Sequence, residues 1–268
     1  MMIDLNHDSG FIYGRSAPPL TVRLNALIDE ALIAQNEASP RRTYLGASRI
    51  GEECSRRLVY EYTQTPPDPD KAFSGQTLRI FAAGHQFEEL SIRWLRAAGF
   101  ELLSQRRDGG QFGFETAGGR IKGHIDGVIV AGPDIGITWP ALFEHKALKA
   151  RSWSDVVKRG VALSKPVYYA QLQLYMAYMA FDVALLTCLN KDTQELYHER
   201  VPFVPHIAQS LSDKAVAILR AAEAHDLPPR IAAKPDFHVC RFCPFHSTCW
   251  ETHGDAGRGM IETEGAGC

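Results

Sequence analysis

Apolar residues recur at intervals of three and four between Leu20 and Asn36, at Leu24, Leu27, Ile28 and Leu32, and this spacing predicts an amphipathic helix. The same period runs from Gln76 to Ala98 through Leu78, Phe81, His85, Leu90, Trp94 and Leu95, with Gly99 as its stop signal. Shorter helices are predicted over Arg56 to Tyr62, before the breakers Pro66, Pro67 and Pro69, and over Ser152 to Arg159. Two longer ones follow, Tyr168 to Phe181 and Ile207 to His225, the second ended by Leu227-Pro228-Pro229. Strands are predicted over Phe100 to Leu103, Ile121 to Val130, Trp139 to Ala147, Val183 to Asn190 and Gln194 to Val201, with a strand or turn over Gln111 to Glu115. Helices and strands in this order imply a mixed α/β core with helices covering the sheet, and no internal repeat is evident.

Strand alternation is what brings chemistry into the pattern. In Glu144-His145-Lys146 the acid and the amine share one face and His145 takes the other. If the strand containing Asp126, in Gly123-His124-Ile125-Asp126-Gly127, lies alongside, two carboxylates meet and can hold a hard divalent cation with Lys146 beside it. The main-chain carbonyl of His145 offers a third oxygen. A metal-dependent phosphodiesterase needs this set. The plainer reading is a surface ion pair between Glu144 and Lys146 on an edge strand. The apolar neighbours Ala141, Phe143, Ile125, Val128 and Ile129 place both segments inside a sheet instead, where unpartnered carboxylates are costly.

With 45% apolar and 22% charged residues, the 268-residue chain has the composition of an ordinary soluble protein and can bury a real core. Its net charge of −2 means that any nucleic-acid surface must be a local basic patch. No membrane span or secretory leader is read, so a cytoplasmic location is expected, where clustered cysteines point to metal rather than disulfides. Cys240-x2-Cys243-x5-Cys249 lies in a loop-like run, and Cys54, at a helix start, supplies a fourth thiol by position. Such a site takes an iron–sulfur cluster or zinc, and His238 and His246 lie near enough to replace a cysteine around zinc. Cys188 reads as a core residue and Cys268 as incidental.

Together these elements resemble the RecB-like branch of the PD-(D/E)XK nucleases, in particular the CRISPR-associated iron–sulfur exonucleases and their phage relatives. The residues that carry the resemblance are Cys54, Gly84-His85, the Gly123 to Gly127 stretch, Glu144-His145-Lys146, Gln171-x3-Tyr175 and the cysteine trio, in family order. The resemblance implies a restriction-endonuclease-like mixed sheet core flanked by helices, with an N-/C-terminal metal-cluster clamp. It implies Mg or Mn held by His85, Asp126, Glu144 and the His145 carbonyl, with Lys146 catalytic. Gln171 and Tyr175, on one helical face, would contact DNA or position the catalytic groups. A structural 4Fe-4S cluster on Cys54, Cys240, Cys243 and Cys249 would clamp the chain ends. The organisation expected is a flexible 1–18, one nuclease domain over 19–250 (core 76–205, cluster lobe from 40–62 and 226–250) and a flexible tail over 251–268.

The expected activity is that of a DNA exonuclease, with endonuclease activity as a variant, on single-stranded or end-containing DNA in recombination, repair or CRISPR-type processing. Helicase, recombination or CRISPR adaptation proteins are the expected partners, and no membrane. The absence of a Gly-x4-Gly-Lys-Ser/Thr loop assigns any ATP-driven unwinding to such a partner. The alternative is a non-catalytic DNA-end-binding or scaffolding subunit. Candidate phosphate contacts are Arg56, Arg57, Lys149, Arg151 and Lys165, with Arg106-Arg107 and Lys158-Arg159 as further basic pairs. Trp153, Tyr168 and Tyr169 are read either as base-stacking residues or as core.

Overall fold

The computed structural model describes residues 19–251, which divide into two compact units. The smaller comprises residues 19–40 and Phe73–Ile80, and the larger comprises Arg41–Ala72 and the residues from Phe81 onward. The expected flexible ends, apart from Glu251, and Cys268 lie outside the described residues. In the smaller unit, helix α1 (Leu20–Ala38) is joined to the second segment by an ion pair between Asp29 and Arg79. Among the described residues no helix is long and apolar enough to cross a membrane.

The larger unit is built on two sheets. Strands β1 (Leu45–Gly46), β3 (Gly113–Thr116) and β4 (Ile121–His124) form a three-stranded sheet in the order β1-β4-β3. Strands β2 (Glu101–Leu103), β5 (Gly127–Ala131), β6 (Ala141–Leu148), β7 (Val183–Asn190) and β8 (Leu196–Pro202) form a five-stranded sheet in that order. Its pairs are antiparallel except β6 with β7, which are parallel and joined through helices α4 (Ala150–Ser164) and α5 (Pro166–Met179). All eight residues of β7 are buried, as a strand covered on both faces requires.

Alternation sorts the side chains of β6 and β7 between two cores. Leu142, Ala184 and Leu186 join Leu172, Leu174 and Met176 of α5 in one cluster, while Phe143 and Leu185 join Ile92, Leu102 and Ile129 in the other. Ile92 belongs to α3 (Gly75–Ala97), whose part from Phe81 on lies in this unit. Helix α5 is apolar on nearly every side, and its run Ala170 to Met176 is buried throughout. Both it and α2 (Ser55–Tyr62) pack against α6 (Pro205–Glu223).

Two sequence expectations change. The segment Ile121 to Val130, read as one strand, breaks at Ile125-Asp126, and β4 and β5 belong to different sheets. Glycines permit this at both sides of the break. A Cβ on Gly123 would lie 2.5 Å from the Phe114 ring and 2.7 Å from Tyr175, and one on Gly127 would lie 2.8 Å from the Leu103 carbonyl oxygen. The helix expected over Ser152 to Arg159 resumes beyond a kink at Gly160 (φ 73°), where the Glu199 carboxylate accepts the Val161 N–H at 2.8 Å.

The cysteine-bearing run, expected as loop, holds two short helices, α7 (His238–Arg241) and α8 (His246–Trp250). Asp68, 4% exposed, accepts the N–H groups of Ser247 (2.7 Å) and Thr248 (3.2 Å), while its own N–H donates to the Pro244 carbonyl at 2.7 Å. Burial opposes ionisation of Asp68, but these donors outweigh it and hold the carboxyl below its ordinary value.

Gly123→Ala should destabilise the protein by about 1–3 kcal/mol through overpacking against Phe114 and Tyr175. Chemical denaturation would read this as a lower midpoint at unchanged slope.

Candidate active site

Strand β6 presents Glu144 and Lys146 toward α5, and the break between β4 and β5 delivers Asp126 to the same point. The Asp126 carboxylate accepts the His145 N–H at 2.7 Å, a bond that ties it to β6 where the β5–β6 ladder ends. Glu144 is 2% exposed, and β6 lies between β5 and β7, so the edge-strand surface pair is excluded. Its Oε1 accepts both Lys146 Nζ and Gln171 Nε2, each at 2.5 Å. Its Oε2 is buried without a protein partner. Gln171 comes from the buried face of α5, and Tyr175, one turn further, is 3% exposed, with Ser48 beside its hydroxyl. The Tyr168 ring lies 5.2 Å from Lys146 Nζ.

Three carboxyl groups converge around one ammonium. Burial, then the charge of Asp126, pushes Glu144 up to about 8. The same two causes push Glu88, on α3, up to about 7. Burial also raises Asp126, against the opposing effects of Lys146 and the His145 N–H. The neighbouring carboxylates outweigh the cost of burying Lys146 and keep its amine protonated well above the usual range. His85, also on α3, is largely exposed, with Nδ1 3.8 Å from Glu88. All of these groups line one cleft of about 320 Å³.

His145 departs from expectation. Its side of the sheet, expected to be less deeply buried, is closed by the cluster around Phe143 and Leu185, and His145 is 5% exposed with Nε2 unpartnered. Burial, then the Lys146 charge, lowers it to about 4, so the imidazole is neutral.

Hard oxygen donors, one of them an orphaned buried Glu144 oxygen, suit a Mg or Mn ion in type and charge. Among the described residues, no three His, Cys, Asp or Glu side chains are gathered at the distance of a single metal. Cys54, Cys240, Cys243 and Cys249 do line one pocket, together with His246. Burial, then the neighbouring thiols Cys54 and Cys249, raises Cys240.

The expected phosphate contacts divide. Arg56 donates to the Pro228 carbonyl at 2.8 Å and approaches Cys249 Sγ at 3.6 Å, and Arg57 pairs with Glu52 and Glu61. Both guanidinium groups are thus engaged inside the fold. Lys149 and Arg151 are exposed at the start of α4, and Lys165 reaches Ser152 Oγ at 3.3 Å. Trp153 belongs to the core, its indole N–H donating to the Cys188 carbonyl at 3.0 Å. Cys188 is fully buried, and burial pushes its thiol up to about 12.

Sequence reading missed Arg42, Tyr44, Ser48 and Lys122, which line the same cleft. The Tyr44 ring has Arg42 at 5.1 Å and Lys122 at 5.5 Å. They arrive through the pairing of β1 with β4, and a two-residue strand leaves no periodic signal.

No family model matches the chain, and no curated protein matches it. Solved structures do. The chain is similar to the alkaline exonuclease LHK-Exo from Laribacter hongkongensis, with a TM-score of 0.50 and 17% identity over 73% of this chain and 93% of that one. It also matches SSO0001 (TM-score 0.48, 16% identity, 85% of this chain and 96% of that one). A complex of LHK-Exo with dAMP gives 0.46 and 16%, over 69% and 90%. The likeness to the first concerns architecture alone: the chain shares the mixed α/β fold of that exonuclease.

In chelator-treated protein, Glu88 and Glu144 keep their protons in the folded state to about 7 and 8 but lose them near 4.5 when unfolded. The folded state then binds more protons between these limits, so stability should fall as pH rises through them. Thermal melts across that range, with and without Mn, would show this decline and its relief by the ion.

Proposed function

We propose that the chain is a Mg- or Mn-dependent deoxyribonuclease of the PD-(D/E)XK type, acting chiefly as an exonuclease on single-stranded or end-containing DNA. One observation carries the reading. A fully buried Glu144 is braced through Oε1 by Lys146 and Gln171, while its orphaned Oε2 lies in a cleft shared with Asp126. The nuclease-type fold supports it.

Asp126 and Glu144 would hold the ion, with His85 and the His145 carbonyl as further ligands. When bound, the ion supplies Lewis-acid chemistry, easing ionisation of water and offsetting charge on the phosphate. Gln171 and Lys146 fix the orientation of the Glu144 carboxylate, leaving Oε2 as its open donor. Lys146, held as an ammonium by its carboxylate neighbours, orients water or stabilises developing negative charge and does not take up a proton. Burial, then the Glu144 charge, keeps the Tyr175 hydroxyl protonated, so it acts only as a donor when it meets a phosphate oxygen. Exposed Lys149 and Arg151 follow directly on β6 and extend a basic path from the cleft.

A 4Fe-4S cluster on Cys54, Cys240, Cys243 and Cys249 is the second part of the proposal. These four thiols line one pocket between chain segments that Asp68 and Arg56 already bind together. Recombination, repair or CRISPR-type DNA processing, with a separate helicase where unwinding is needed, is the context this activity fits.

Purified protein with Mn should degrade end-labelled single- or double-stranded DNA, and Lys146→Ala should not. Binding without cleavage by the wild type would overturn the enzymatic reading in favour of an end-binding subunit, and equal cleavage by the variant would overturn the assignment of the activity to this site. Gln171→Ala should retain metal-dependent activity reduced about 10–100-fold, the usual cost of losing a residue that orients a metal ligand.

Anaerobically purified protein should be brown and contain iron and inorganic sulfide, and Cys243→Ser should lose both. Colourless protein carrying one zinc per chain would replace the cluster with the zinc alternative.

A further inference from the structure

Helix α1 carries a second pattern beneath its amphipathic one. Leu20, Leu24, Leu27, Ala31, Ala34 and Ala38 alternate at spacings of four and three, the seven-residue repeat by which one helix packs along another. Among the described residues nothing closes this seam: Leu20, Leu24 and Leu27 are 77%, 51% and 63% exposed, and no α1 residue is fully buried. Among the described residues, the ion pair of Asp29 with Arg79 and the half-buried Leu32 and Ile33 lie on the other side of the helix. A row of three exposed leucines on one helix face is unusual for a surface that stays in water.

Charge decides what fits it. Arg23 and Glu30 occupy equivalent places, each one residue before a seam position, Leu24 and Ala31. In a parallel pairing of two copies, these flanking positions would face Ile28 and Gln35, and no ion pair would form. In an antiparallel pairing with Leu24 opposite Leu27 and Leu20 opposite Ala31, Arg23 of each copy meets Glu30 of the other, twice over. Large residues also face small ones at the outer layers, which lets the helices approach closely. A two-fold, self-complementary arrangement of this kind is the commonest basis of homodimers.

We propose that α1 is a homodimerisation helix, pairing antiparallel with α1 of a second copy through Leu20, Leu24, Leu27 and Ala31, flanked by two Arg23–Glu30 ion pairs. The seam spans fewer than three heptads, so the dimer forms as concentration rises. None of the residues in this seam belongs to the cleft.

Sedimentation velocity of the full chain over a concentration series should show monomer giving way to dimer. Leu24→Glu with Leu27→Glu should be monomeric throughout while keeping its thermal unfolding transition. Arg23→Glu alone should weaken the dimer by placing acids opposite one another. Adding Glu30→Arg to it should restore the dimer, because both ion pairs re-form with their signs exchanged. A wild-type chain that stays monomeric, its seam then covered by its own chain or by a different partner, would overturn the proposal. So would a dimer undiminished in the double glutamate variant, or one that the charge exchange fails to recover.

Discussion

The buried carboxylate of Glu144 is the constraint around which the larger unit is arranged. A charge removed from water on the inner strands of a sheet is tolerated only where donors compensate for its lost hydration. Lys146 and Gln171 meet one of its oxygens, and neither suffices alone, since Asp126 and Glu88 add like charge nearby. The other oxygen has no protein partner. The fold therefore crowds carboxyl groups whose ionisation is resisted until about pH 7 to 8, a condition a cation relieves and a stability-optimised core would avoid.

Holding that arrangement dictates local structure at some distance from it. Helix α5 must be buried on nearly every side to bring Gln171 beneath β6 within the parallel crossover from β6 to β7. Tyr175 then presses on the three-stranded sheet, where only a glycine at 123 leaves room for its ring beside Phe114. Breaking the strand at Asp126 turns its side chain to β6, where a backbone N–H replaces the ladder bond. Packing, backbone freedom and charge thus converge on one short stretch, Gly123 to Gly127.

A second set of polar bonds closes the unit outside the cleft. Asp68 caps the segment that carries Cys249, and Arg56 reaches the Pro228 carbonyl, each joining chain segments more than 150 residues apart, while Arg230 reaches the Cys249 carbonyl from nearby in the chain. Arg49, Glu52, Arg57 and Glu61 form a partly buried ionic lattice at the same end. These contacts lie beside the pocket that Cys54 lines together with Cys240, Cys243 and Cys249.

Much of this was legible in the chain. The period of apolar residues identified the long helices and most strands, because burial on one face is written locally in the order of side chains. The Glu144, Lys146 and Asp126 set and the four cysteines were legible for a similar reason, since few structures need those residue types so spaced. Tertiary structure alone decided the rest. The apolar pattern runs unbroken through Ile125, so nothing local marks the transfer of the chain between sheets at Asp126. Arg42, Tyr44, Ser48 and Lys122 reach the cleft only through a parallel pairing of β1 with β4, a contact between residues some 75 positions apart. Whether Arg57 meets a phosphate or Glu61, and whether His145 is solvated or sealed under Phe143, depends on what long-range packing sets beside each group. Sequence determines which groups are available and on which face of an element they lie; only the closed fold determines which of them meet.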